Sequence, residues 1–174
     1  MGIQFETDYN METLTAMAKG LRKTVRKKRS RRVHIFAAVV LVLGLLTILA
    51  TTAGGEPLGA SGVVTLLAML VVILVSLFED KLNAWFARKR LLPGTEHAAA
   101  TFEEDGYVSA TSMSESKFSY AQIVAVAETA RYFVFALSSH HTQAYDKRTI
   151  RGGSVEDFRA FIAEKTGKLV ENIK

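Results

Sequence analysis

Few side chains in this 174-residue chain have the types and spacing that chemistry requires. His140 and His141 are adjacent, so on a strand they point to opposite faces, and no third ligand stands at a zinc-site spacing. Ser138-Ser139-His140-His141 pairs hydroxyls with imidazoles, but no nucleophile elbow accompanies them. Glu103-Glu104-Asp105 offers three carboxylates just before Gly106, the composition of a solvated turn rather than of an acid/base pair. The absence of cysteine removes thiolate nucleophiles, thiolate metal sites and disulfides together. One polar cluster stands out. Lys147, Arg148 and Arg151 precede Gly152-Gly153 and a helix start at Ser154, where backbone N–H groups can hold an anion. These three are the candidate contacts for a lipid headgroup or another phosphate. A flexible turn into a capped helix is the plainer account of the same residues. No catalytic, metal or cofactor-binding residue is expected, and an enzyme is not the reading.

The elements that carry these residues are set by two apolar runs. Val33–Ala53 and Leu58–Phe78 are each 21 residues long and free of charge. A hydrocarbon core about 30 Å thick needs roughly 20 helical residues. Gly54-Gly55-Glu56-Pro57 between them breaks the helix and leaves no room for a domain. The pair reads as a transmembrane hairpin. A cleavable signal would carry a far shorter basic stretch before its apolar core, and a pair of buried helices in a soluble protein would not be so free of charge.

Charge fixes the orientation. Residues 1–32 carry net +6 and residues 79–90 net +2, whereas 91–174 carry −2. Lys and Arg crowd the outer ends of both runs and are missing from the connection, which places both termini in the cytoplasm. The high pI thus belongs to the flanks, and a nucleic-acid partner, which needs a basic face on the folded domain, is not expected. Between Ile35 and Ala53 and between Leu58 and Phe78 there is no ionisable residue of the kind transporters use, and His34 sits at the entry to the first span. After the second span, Leu82, Trp85 and Phe86 recur at i, i+3 and i+4, followed by Arg88-Lys89-Arg90. Trp85, Phe86, Arg88, Lys89 and Arg90 form an interfacial anchor on a helix continuing past the bilayer.

Three regions result: 1–32, an N-terminal strand and basic amphipathic helix; 33–90, the hairpin and its helical extension; and 95–174, a soluble domain. Ile3–Thr7 alternates like a strand, and from about Tyr9 the residues Met11, Leu14, Ala18, Leu21 and Val25 keep helical spacing. Asp8 or Asn10 is available as N-cap. The basic half of that helix could lie on an anionic leaflet or simply set topology. In the tail, strands are expected at 99–103, 107–111, 116–120, 123–127, 131–137 and 143–147, with an Asp105-Gly106 hairpin turn. Ser154 and Asp157 form a capping box for a helix with Phe158, Phe161 and Ile162 on one face, stopped by Gly167. Strands sharing one face and closed by a helix make a small α+β domain.

Several stretches of the chain, taken with the two spans, resemble the YcxB-like family of small bacterial membrane proteins. They are Phe102-Glu103-Glu104-Asp105-Gly106-Tyr107, Phe118-Ser119-Tyr120-Ala121-Gln122-Ile123, Val126-Ala127-Glu128-Thr129 with Tyr132-Phe133-Val134-Phe135, Tyr145-Asp146-Lys147-Arg148, and Gly153-Ser154-Val155-Glu156-Asp157-Phe158. The resemblance implies a cytoplasmic domain of pleckstrin-homology (PH)-like shape, a bent antiparallel sheet capped by the C-terminal helix. It brings no reaction with it. The expected protein is a multi-pass bacterial plasma-membrane scaffold that presents an interaction domain, with membrane lipids and either a protein partner or a second copy as partners. The alternative is an anionic lipid or phosphate sensor acting through Lys147, Arg148 and Arg151. No cofactor is expected in either case.

Overall fold

The computed structural model describes residues 2–54 and 58–173. The expected helix break therefore lies mostly outside the described residues, at 55–57. The order is β1 (Ile3–Asp8), α1 (Met11–Lys23), α2 (Lys27–Ala53), α3 (Ala60–Leu77), α4 (Glu79–Lys89), β2 (His97–Phe102), β3 (Tyr107–Thr111), β4 (Glu115–Phe118), β5 (Ala125–Glu128), β6 (Tyr132–Ala136), β7 (Thr142–Asp146), α5 (Val155–Thr166) and β8 (Val170–Asn172). Asn10, not Asp8, caps α1, accepting from the N–H groups of Glu12 and Thr13 at 2.9 and 3.0 Å.

The strands form two four-stranded sheets in the orders β1-β2-β3-β4 and β7-β6-β5-β8. Single-sheet expectations miss both the division and the parallel pairing of β5 with β8. The segment after β7 turns a corner beside β1, where Gln4 and Arg151 exchange backbone hydrogen bonds of 2.9 and 3.0 Å. Gly152 turns this corner with φ +83°, and a Cβ there would lie 2.7 Å from the Gly2 carbonyl. Between the sheets and α5 lies an aromatic core that includes Phe5, Phe102, Tyr107, Phe133, Phe135 and Phe158. Phe5 and Phe158 meet edge to face at 4.6 Å, a geometry that adds stability beyond burial alone. The Ser154–Asp157 capping box is present, and Gly167 ends α5 in the left-handed region at φ 63°.

The N-terminal stretch joins this domain. β1 pairs along its whole length with β2, Ile3 to Phe102 through Asp8 to His97, so residues 1–32 and 95–174 share one sheet. Phe5 supplies the reason, since its ring fills the middle of the aromatic core. α1 in turn packs on the outer face of the second sheet, burying Leu14 and Leu21. A Cβ on Gly20 would lie 2.7 Å from Val134, so glycine permits this approach. The apolar side of α1 therefore faces protein, not a lipid leaflet. The strand expected at 116–120 ends at Phe118, because Ser119 caps a 3₁₀ turn over Tyr120–Gln122. That turn brings the Tyr120 hydroxyl to the carbonyls of Glu103 and Gly106.

α2 and α3 are long and apolar enough to cross a membrane, with mean hydropathies of 2.7 and 2.6 and none of either window buried. α2 starts six residues before the apolar run, so the basic stretch is itself helical. The two helices close up where Gly44 faces Met69, whose sulfur would sit 2.8 Å from a Cβ at Gly44. Small residues permit such approaches between apolar helices. α3 and α4 are not one helix. Phe78 bends the chain between them, with Glu79 and Asp80 in the first turn of α4.

Candidate functional site

The three basic residues singled out after β7 do not converge. The Lys147 ammonium lies 2.8 Å from the Glu128 carboxylate, and only 13% of its side chain is exposed. Arg148 folds back onto Asp146 at 2.9 Å, and Arg151 approaches Glu6 at 3.5 Å. Glu128 also receives the Arg159 guanidinium at 2.6 and 2.7 Å. Arg159, with Lys147 in support and against the opposing effect of burial, lowers the Glu128 carboxyl from 4.5 to about 2. Asp146 similarly joins Arg131, which reaches Glu12 on α1. These charges tie strands, α5 and α1 together.

The anchor residues are spread around the second half of α4 and the residue after it. Ala84 is buried, while Trp85 and Phe86 are 44% and 51% exposed. Their rings meet at 4.9 Å, and the Lys89 ammonium stands 3.6 Å over the Trp85 ring. Exposed Phe78 and Leu82 extend this apolar strip back to α3. Arg88 and Lys89 close the helix, and Arg90 turns into a cleft.

That cleft, of about 640 Å³, opens where α1, the start of α2 and α4 meet the loop between β6 and β7. Arg22, Arg26, Arg29 and Arg90 line it together with His140. Arg22 is held by a two-point pair with Asp80 at 2.7 and 2.6 Å, which raises the already high pKa of its guanidinium. Arg26 donates to the Ser139 carbonyl at 2.7 Å, tying the loop to the helices. Among the described residues Arg29 and Arg90 have no acidic partner. Glu79 forms part of the wall, with one buried carboxylate oxygen lacking a hydrogen bond among the described residues and 3.8 Å from both Arg22 and His34. Sequence reasoning took Arg26 and Arg29 for topogenic charge. The signal it passed over was the acidic pair Glu79-Asp80, set just past the second run at the level of the basic stretch before the first.

A second open surface is the outer face of the first sheet. The register aligns Gln4, Thr101, Val108 and Lys117 across it, then Glu6, Ala99, Ala110 and Glu115. Small residues fill its middle and charges its rim. The β4 edge continues it with exposed Glu115, Ser116 and Lys117.

Residues 102–162 match the family described as YcxB-like protein. No curated protein matches the chain, nor does any solved structure. The matched stretch runs from the last residue of β2 into α5 and so takes in β3 and β4 of the first sheet and β5, β6 and β7 of the second.

Proposed function

We propose that this chain is a membrane-anchored interaction protein whose α2–α3 hairpin holds a PH-like domain at the cytoplasmic face of a bacterial plasma membrane. The hairpin crosses the bilayer with both termini inside, a reading supported by the distribution of Lys and Arg. The domain binds a protein partner or a second copy and performs no reaction of its own. The observation that carries this reading is the outer face of the first sheet, where exposed Ala99 and half-buried Thr101, Val108 and Ala110 form a centre of small side chains inside a rim of Glu6, Glu115 and Lys117. A centre of small side chains lets another protein surface approach closely, and the rim sets its charge. The short, charged β4 edge resists indiscriminate strand pairing.

Two measurements on the full chain test this. The lack of native cysteine makes labelling clean. In spheroplasts Gly59→Cys is expected to react with an impermeant maleimide from outside, and Ser138→Cys only after permeabilisation; the reverse pattern overturns the orientation, and labelling of both from the same side sinks the hairpin. Cross-linking from the native membrane is expected to trap a partner that Ala99→Arg or Ala110→Arg releases. Equal capture by both variants removes this face as the docking surface. Deleting 95–174 would be a poor control, because it also strips β1 of β2 and α1 of its sheet.

A further inference from the structure

The cleft between α1, α2 and α4 goes beyond a protein-docking role. We propose that it seats the phosphate of an anionic phospholipid headgroup, with Arg26, Arg29 and Arg90 as the contacting cations and Arg22 as the residue that shapes it. The proposal rests on the reading that α2 and α3 are inserted in a bilayer.

Three observations point to this occupant. First, the charge is unbalanced in the right sense. Asp80 is committed to Arg22, which leaves three guanidinium groups facing a single carboxylate, Glu79. Guanidinium presents paired N–H donors that match phosphate oxygens. Second, the cleft sits where apolar surface begins. Val33 and Phe86 line it and are themselves 53% and 51% exposed, as are the residues that follow along α2. A lipid whose acyl chains lie along these residues has its phosphate at the arginines; a free phosphate would gain nothing from them. Third, the cleft is held in shape. The Arg22–Asp80 pair fixes α1 to α4, and Arg26 fixes the loop that carries His140. The cations after β7 are engaged by acids and offer no such opening.

The test is native mass spectrometry of the full chain released from micelles containing equal phosphatidylglycerol and phosphatidylcholine. The wild type is expected to retain phosphatidylglycerol in clear preference. Arg29→Gln with Arg90→Gln is expected to lower that preference at least about fivefold, given about 1 kcal/mol per basic residue near an anionic surface. Lys147→Gln with Arg148→Gln serves as the basic control elsewhere and is expected to leave it unchanged. Equal retention of the two lipids by the wild type overturns the proposal, as does an undiminished preference in the Arg29/Arg90 variant. Loss of bound lipid to excess inorganic phosphate would assign the cleft to free phosphate and overturn the lipid assignment. Cysteine labelling separates the two levels: labelling of Gly59→Cys and Ser138→Cys from opposite sides without lipid preference sinks the headgroup site alone, whereas labelling of both from one side sinks the membrane reading beneath it.

Discussion

The two sheets of the domain are built from the same number of strands yet treat their outer faces in opposite ways. In the first sheet the strands alternate, with Phe5, Ala100, Phe102 and Tyr107 inward and Gln4, Glu6, Ala99 and Val108 outward. In the second sheet every residue of β6 is buried. Phe133 and Phe135 enter the aromatic core, while Tyr132 and Val134 face a second cluster with Ala127, Ala144 and Ile173, packed against Ala16 and Met17 of α1. A strand covered on both sides reads as an unbroken apolar run, and one covered on a single side alternates. The difference teaches that α1 is a structural layer of the domain, although its basic end suggests a membrane flank.

Substitutions can break this contrast in graded steps. Phe133→Ala should have the largest effect, about 3–5 kcal/mol in urea unfolding of the full chain in detergent, because the ring is fully enclosed. Gly20→Leu should follow at about 1–3 kcal/mol by forcing α1 off Val134. Adding Val134→Ala should recover part of that loss, a coupling that a double-mutant cycle measures directly. If Gly20→Leu is neutral, α1 is not a layer of the domain.

Acid should act at a similar scale. The Glu128 carboxyl is lower in the folded protein than in the unfolded chain, so its contribution is complete above pH 4.5 and declines as pH falls toward about 2. The loss should be on the order of 2 to 3 kcal/mol, and Glu128→Gln should flatten this part of the pH–stability curve. The smallest effect belongs to the open face. Ala99→Thr, in the middle of the first sheet, should stay within about 0.5 kcal/mol. A large loss there would mean that this face is covered and not open.

Much of the domain was legible because its signals are local. The Asp105-Gly106 turn, the Ser154–Asp157 box, Gly167 and the Tyr132–Ala136 run each lie within a few residues of what they determine. The division into two sheets, the pairing of β1 with β2 and the parallel addition of β8 depend on contacts between distant segments, which periodicity does not encode. The candidate site was less legible for the same reason. Lys147, Arg148 and Arg151 cluster in sequence, yet each turns to an acid from another element or turn. Arg29 and Arg90 lie far apart in sequence and meet only because α4 runs back past α1.

The β1–β2 ladder also sets a rule of parity. Two segments of one sheet must lie on the same side of any barrier, so the chain between Asp8 and His97 can cross a bilayer only an even number of times. The ladder forbids a single crossing whatever the flanking charges. It also sets an order of events during synthesis: β1 is made first and waits unpaired until both apolar helices have emerged. Sheet closure then acts as a checkpoint on insertion, since a chain with one helix misplaced could never complete its own domain.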